Sequence, residues 1–599
     1  MTMRFVRFLT LPTCTGEPLR AIIHPRKFAS VMDVSVNTFF LLPFGQNKFD
    51  FYFDRGGNRI SIIRHNIFKK MTWIDELDFE RAIDEIKIDE KTGKNFCLDP
   101  LRFNDLADKK IRATLIKEIV NIIKTNKYLP QDLIKIDVPK SNYTLRPGAR
   151  PELIDWIVYT AVTNLIADSI YKEIPTTSYS FRKFSGKKIK KFKKSVDYWI
   201  DFEDDAIKIS EEGKFEYLLV TDITAFFEHI SIDELKYRLK LFSDEENYKK
   251  AVNFLTDSIL SQWTKDNKIP KFGLPQGPTA STVLADIYLY SVDKTLNESA
   301  HLKFIRFMDD FRLFVKDRTD LKKAISSLVR ELRELKLNLN AKKTISYILK
   351  DKVKLKNVFD PDREKLRLIS EAFKSKKKDQ ILLVGKSLTE LKDSQNNTFK
   401  ERHLKFFIGK MIDSMKYKIA KSEYIKNLTQ ELLVQFKERH HLSKTLCWFF
   451  VAAGIYDKTL KDTITKGLIE FICSKENIYQ WQEMWALDTI RQLDSISLMD
   501  IEKLKKHYSK NNESCFSQFA LIACSSGNHD MREHVLNSKR MYADQYRATL
   551  LGIQKLDKDI VKSIKNQAPK YFQEYFQKLS EEDYGFKYEL EEIEIYDDY

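Results

Sequence analysis

The sequence predicts an α+β fold followed by an all-α region, and three observations predict it. Between residues 215 and 344, apolar strand-like runs alternate with amphipathic helical segments. Three acids in that stretch, Asp222, Asp309 and Asp310, stand where such runs end. Beyond about Asp360 the strand signals fade and one amphipathic helical pattern follows another to about Ser580. The chain has 599 residues, too many for one hydrophobic core. Its 43% hydrophobic content, with only 17 Gly and 15 Pro, excludes a disordered or low-complexity protein.

Taken in order, residues 1–70 form an N-terminal extension rich in Phe, Val and Ile. There FDFYFD before Gly56-Gly57 reads as strands and a hairpin. From about Trp73 the pattern turns helical, as in IRATLIKEIVNIIK (residues 111–124), with apolar positions three and four apart. Arg146-Pro147-Gly148 reads as a break, and a long helix follows in PELIDWIVYTAVTNLIADSIYKE. Residues 71–350 therefore form the α+β part. Residues 351–580 read as an irregular array of helices, resembling a HEAT-type solenoid without a strict repeat. Residues 581–599 carry nine acids and one Lys, and read as a solvated, partly disordered tail.

The formal charge of +16 and pI near 9.1 point to an anionic partner, of which nucleic acid is the commonest. Charge alone fits equally a large surface solvated by 102 Lys and Arg. Six scattered cysteines without a CxxC pair exclude a disulfide framework or zinc site and fit a reducing compartment. No apolar run reads as approaching the ~18–20 residues of a membrane span. The N-terminal apolar stretch is soon interrupted by Pro12, Glu17 and Arg20, unlike a signal peptide. The expectation is a cytoplasmic protein with no membrane partner. His440-His441 and His529 lack metal-ligand company and read as surface residues.

Four segments carry the chemistry. In FEYLLVTDITAFFEHI (residues 215–230) an apolar run ends at Asp222; such a carboxylate either caps the next helix or projects from a rigid strand into a cleft. In HLKFIRFMDDFRLFV (residues 301–315) two apolar strands flank Met308-Asp309-Asp310, a hairpin with acids at its tip. Three clustered acids repel one another unless a cation neutralises them, and hard oxygen donors at that density suit Mg²⁺. Two such ions can clamp the attacking and leaving oxygens of a phosphoryl transfer. In KFGLPQGPTASTVLADIYLYSVD (residues 271–293) a loop shaped by Gly273, Pro275 and Gly277 leads into a helix with Leu284, Ile287 and Tyr288 on one face. Finally, residues 146–188 supply Arg146, Arg150, Arg182 and Lys183. Residues 181–195 hold eight Lys or Arg and no acid, interleaved with Phe184 and Phe192. That run is a nucleic-acid backbone site or an exposed basic loop.

These segments resemble, in order, the motifs of reverse transcriptases. LLVTDITAFFEHI resembles motif A, GLPQGPTASTVLADIYL motif B, FIRFMDDFRLFV the motif C hairpin and ELRELKLNLNAKKT (residues 331–344) motif D. Upstream, RPGARPELIDWIVYTAV and SYSFR resemble fingers motifs of group II intron and retron-like enzymes. The resemblance covers about 200 residues. It implies a right-hand polymerase with fingers and palm, using dNTPs and two Mg²⁺, with Mn²⁺ as an alternative ion. It assigns Asp222 and Asp309, with Asp310 beside them and the carbonyl of Ile223, to the metals. Phe227 becomes the aromatic beneath the incoming sugar, a block to a 2′-hydroxyl, and Gln276 lies near the nascent pair. Arg146 and Arg182 reach the triphosphate. Lys343 is a proton donor to pyrophosphate, or else a solvated neighbour of Lys342. On the first reading of the basic run, Lys187, Lys188, Lys190, Lys191, Lys193 and Lys194 would bind nucleic acid, DNA or RNA.

The chain departs from the pattern at Pro278-Thr279, where many relatives have Ser after Gly277, and no primer grip or thumb motif follows Thr344. A palm without endonuclease or maturase signatures, ahead of about 230 helical residues, resembles the bacterial defence-associated group: abortive-infection (Abi) enzymes and their "unknown group" relatives. That resemblance implies antiphage DNA synthesis, in some relatives untemplated or primed by a protein hydroxyl. A non-coding RNA and further copies of the chain are candidate partners. The rival readings are a mobile-element enzyme, linked to an intron or a CRISPR array, and a non-catalytic RNA-binding scaffold.

Overall fold

The computed structural model describes residues 9–11, 19–21, 47–53, 60–66, 72–92, 96–99, 101–170, 173–179, 195–355, 358–359, 362–393, 401–508, 519, 522, 547–548, 572–581 and 586–595. The chain divides into two compact units, residues 1–75 and 76–599. In the first, β1 (Leu9–Leu11) pairs antiparallel with β2 (Leu19–Ala21), and β3 (Asn47–Phe53) with β4 (Ile60–Asn66). The expected strand pairing is thus present, while Gly56-Gly57 lie outside the described residues.

The second unit opens with α1 (Phe79–Thr92) and α2 (Lys109–Lys124), the latter capped by the Asp108 carboxylate. A hairpin follows, β5 (Ile134–Pro139) and β6 (Leu145–Arg150). Here the structure corrects the sequence reading: Arg146-Pro147-Gly148 is a strand and not a break. A two-stranded ribbon has only edge strands, and an edge tolerates a residue without an N–H. Next, α3 (Leu153–Ile170) packs against α1. Among the described residues it is the one helix long and apolar enough to cross a membrane, against the expectation of no such run. With 78% of it buried inside the protein, it is a core helix.

The palm follows. Its elements are α4 (Ser195–Glu211), β7 (Tyr217–Asp222), α5 (Phe226–His229), α6 (Ile232–Lys240), α7 (Glu246–Asn253) and α8 (Ser261–Thr264). Then come α9 (Thr279–Tyr288), α10 (Tyr290–Glu298), β8 (Leu302–Phe307), β9 (Asp310–Val315), α11 (Arg318–Glu334), β10 (Ile345–Ile348) and α12 (Lys352–Leu355). One antiparallel sheet runs β10-β7-β9-β8. On one face Leu218, Ile305 and Phe314 pack against Phe202, Ala206 and Ile209 of α4. The other face turns Arg306 toward α9 and α10. Strands alternate their side chains between faces, so each strand anchors both layers.

The remainder is helical: α13 (Arg363–Lys374), α14 (Lys378–Asp393), α15 (Glu401–Lys416), α16 (Ser422–Phe436), α17 (Ser443–Tyr456), α18 (Leu460–Ile472), α19 (Gln480–Leu493), α20 (Leu498–Tyr508) and α21 (Gln573–Leu579). They pack in two rows, α15-α17-α19 and α16-α18-α20, which meet where α17 packs on α16 and α18, and α18 on α19. The helices also dock on the first half of the unit: α19 on β5 and α21 on α2. Arg102 pairs with Glu90 and Asp488 at 2.6 Å each, and Arg547 with Asp99 and Asp105 at 2.6 and 2.7 Å. The acidic tail is corrected over residues 586–595. Ile593 is buried, Tyr588 lies against the Arg102 guanidinium, and the Phe586 carbonyl accepts from Arg491. Apolar residues interleaved with the acids, met by buried arginines, dock this segment despite its charge.

Candidate active site

The strand register sets the acids at one end of the sheet. Asp222, the last residue of β7, is the cross-strand partner of Asp310, the first residue of β9. Met308 and Asp309 form the β8–β9 turn, with Met308 in the left-handed region at φ 55°. The Ile223 N–H donates to the Asp309 carbonyl at 3.3 Å, tying the β7 end to that turn. The segment that resembles motif D closes the other side. The Asn340 N–H donates to the Asp222 carbonyl at 2.9 Å, and the Thr221 and Thr344 hydroxyls lie 2.7 Å apart. Lys343 thereby reaches Asp222, its Nζ 2.5 Å from Oδ2.

The electrostatics are those of crowded like charge. Burial pushes the Asp310 carboxyl up to about 7, helped by the Asp309 and Asp222 charges. Burial and the Asp222 charge also raise Asp309, while Lys343 and Arg146 pull it back down. The Asp222 ion pair raises the Lys343 ammonium. Asp222 is buried, and its Oδ1 has no hydrogen-bond partner. A buried acceptor without a donor is costly, and a divalent cation is the partner that would satisfy it. Among the described residues no three acidic, imidazole or thiol groups already converge as a metal-ligand cluster. The donor chemistry nevertheless fits Mg²⁺: hard oxygens only, one of them orphaned, with excess negative charge.

Phe227 is half-buried, its ring edge-on to Phe226 at 5.6 Å, and its carbonyl accepts from the Leu274 N–H at 2.9 Å. That bond sets the loop around Gln276 beside it. The Gln276 carbonyl accepts from the Ala149 N–H on β6 at 2.9 Å. Gly277, at φ 149°, comes so close that an added Cβ would sit 3.1 Å from the Ala149 carbonyl. Thr279, in the departure from the family pattern, is bound through its N–H and hydroxyl by Asp89 of α1. Arg146 is exposed on β6, its guanidinium over the Phe96 ring and its charge felt at Asp309. Arg182, Lys187, Lys188, Lys190, Lys191, Lys193 and Lys194 lie outside the described residues.

Sequence reasoning missed the support of the turn. Arg306 is fully buried; its Nε donates to Asp293 at 2.7 Å and one terminal nitrogen lies 2.8 Å from Asp286. The same nitrogen donates to the Met308 carbonyl at 2.9 Å, fixing the residue before Asp309. Burial and the neighbouring Asp286 push Asp293 up to about 6 against the pull of Arg306. The signal was an Arg inside the apolar strand FIRF, but its partners lie on two other elements. His440 was read as a surface residue and is instead 4% exposed. Its ring lies 5.1 Å from that of Tyr143 and 4.9 Å from that of Tyr479.

Residues 138–382 match the family model described as reverse transcriptase (RNA-dependent DNA polymerase). No curated protein sequence matches the chain. Solved structures of Candida tropicalis telomerase are similar over parts of it. The apo enzyme truncated from its C-terminal domain is 19% identical, over 38% of this chain and 53% of that one, with a TM-score of 0.26. Apo telomerase is 13% identical over 68% and 71%, with a TM-score of 0.25. Telomerase in complex with the TWJ fragment of telomeric RNA is 13% identical over 63% and 67%, with a TM-score of 0.27. This chain thus spans about half the length of the first of these. At such identities and scores, no function passes from them to this protein.

Proposed function

We propose that this chain, whose residues 138–382 are a reverse-transcriptase domain of the RNA-directed DNA polymerase type, joins dNTPs into DNA at Asp222, Asp309 and Asp310. The observation that carries this reading is the register that sets Asp222 opposite Asp310, one residue from Asp309, with Asp222 Oδ1 buried and unpartnered. Asp222, Asp309 and the Ile223 carbonyl, with Asp310 beside them, would hold Mg²⁺, which supplies charge stabilisation to a phosphoryl transfer when bound. Arg146 orients the triphosphate through its forked donors. Phe227 excludes a 2′-hydroxyl, and Gln276 borders the nascent pair. Lys343 gives up its proton to the leaving pyrophosphate once it releases Asp222. The basic segment at Lys187–Lys194 holds the nucleic-acid backbone, and Arg182 before it joins Arg146 at the triphosphate.

The biological reading is antiphage defence of the abortive-infection kind, in the cytoplasm, by synthesis that is untemplated or protein-primed. It rests on the order of parts: a reverse-transcriptase domain followed by helices. The helices read as a HEAT-like array, supported by their two-row packing. A non-coding RNA and further copies of the chain are the partners to test. The deciding experiment is incubation of the pure protein with Mg²⁺ and labelled dNTPs, with and without added template, and sequencing of the product. Product dependent on Asp309 supports the polymerase reading; equal incorporation by the folded Asp309→Ala protein ends it. Phage challenge of cells carrying the parent or the Asp309→Ala chain tests the defence reading, which falls if the two protect alike.

A further inference from the structure

We infer that the C-terminal helices position the nucleotide site, with His440 as the positioning residue that holds Arg146 through the β5–β6 hairpin. The inference rests on the proposed role of Arg146 at the triphosphate. The hairpin is tied at both ends. At its base, the Ala149 N–H donates to the Gln276 carbonyl. At its tip, residues 140–144 form a tight turn: the Tyr143 N–H donates to the Lys140 carbonyl at 3.0 Å, and the Lys140 N–H to the Thr144 carbonyl at 2.8 Å. Tyr143 sits in that turn at φ 63°, in the left-handed region, with its side chain largely exposed.

The helices meet this turn. The Lys140 carbonyl also accepts from His440 Nε2 at 3.2 Å, and the imidazole lies between the rings of Tyr143 and Tyr479. His440 sits just ahead of α17 and Tyr479 just ahead of α19, the helix packed on β5. Beside this contact the Leu98 N–H donates to Met484 Sδ of α19, and Arg102 spans Glu90 and Asp488. The hairpin is therefore braced on α19 and the His440 turn. Arg146 lies two residues beyond the turn residue Thr144, between the two ties, where its charge acts on Asp309. A two-stranded ribbon has little stability of its own. Loss of the tip contact leaves Arg146 at the same sequence position on a looser support, which weakens nucleotide capture more than the chemical step.

The test compares His440→Ala, His440→Gln, His440→Phe and Arg146→Ala in the full-length protein. It measures dNTP incorporation at varied dNTP and thermal unfolding of each. Arg146→Ala should raise the KM for dNTP. His440→Ala should raise it about fivefold to tenfold with kcat within about twofold, the signature of lost ground-state binding. His440→Gln, which keeps an N–H donor, and His440→Phe, which keeps the ring packing, should each recover part of the loss. In the Arg146→Ala background, His440→Ala should have little further effect, because the two act through one interaction. An unchanged KM in His440→Ala, alongside a raised one in Arg146→Ala, overturns the inference. So does a fall in kcat that tracks lost thermal stability across the three His440 variants. An unchanged KM in Arg146→Ala instead removes the nucleotide role of Arg146, which is a different failure.

Discussion

Two regions of this molecule bury charge, and they do so in opposite ways. Where the C-terminal helices meet the first half of the unit, each buried arginine is matched: Arg102 with Glu90 and Asp488, Arg547 with Asp99 and Asp105. At the four-stranded sheet, three carboxylates crowd together, with the exposed Lys343 ion-paired to Asp222 and the more distant Arg146 and Arg312 short of matching them. Matched charges specify how parts dock; unmatched like charges cost stability and persist where another ion or substrate is meant to meet them. The contrast separates architecture from chemistry within one compact unit.

The largest expected effect lies at the unmatched cluster. Asp309→Ala or Asp222→Ala should lower dNTP incorporation by about a thousandfold or more, as expected for loss of transition-state charge stabilisation, with unfolding temperature kept or raised. Incorporation at the parent rate in either folded variant would break the comparison at its catalytic side. At the matched network the sign is reversed. Arg102→Met takes the guanidinium from Glu90 and leaves Asp488 with Arg491 alone, and should cost about 3 kcal/mol, read in chemical denaturation or as insoluble expression. A loss near zero would mean the network is not a docking device.

Phe227→Ala should relax sugar discrimination by about tenfold to a hundredfold, the range of one lost steric contact, in competition assays of dNTP against rNTP. If discrimination is unchanged, the ring is only packing for Phe226. A smaller effect follows from Asp310. Its folded pKa, near 7, stands above the ordinary carboxylate value, so protonation favours the fold. That contribution is complete at pH below the unfolded pKa of ~4 and lost as pH rises through about 7. Asp310→Asn, which cannot ionise, should therefore gain on the order of 1 kcal/mol over the parent at pH 8 and little at pH 4.5, measured without divalent metal. Equal gains at both pH values would show that Asp310 is not strained by its neighbours. Smallest of all, neutralising Lys187, Lys188, Lys190 and Lys191 should flatten the salt dependence of nucleic-acid binding by ~1 slope unit per lost phosphate contact. An unchanged slope returns the segment to an exposed basic loop.

The sequence alone determined what is written in local pattern. The strand end at Asp222 and the hairpin that flanks Met308-Asp309-Asp310 follow from the alternation and spacing of apolar residues, and the structure has them, with Asp310 taken into β9. The same is true of the helices beyond Asp360, where 3.6-residue periodicity persists. Tertiary structure decided whatever depended on partners far away in the chain. Pro147 could sit in a strand because β6 has a free edge, and the apolar α3 became a core helix because α1 and its neighbours cover it. The tail docked because Arg102 and Arg491 meet it, and His440 was buried where the β5–β6 turn meets the residues ahead of α17 and α19. Arg306 could not be paired with Asp286, Asp293 and the Met308 carbonyl until the sheet was folded. Periodicity reports which face of an element is apolar; it carries no record of which distant residue will satisfy a buried charge, because that pairing is settled by packing in three dimensions.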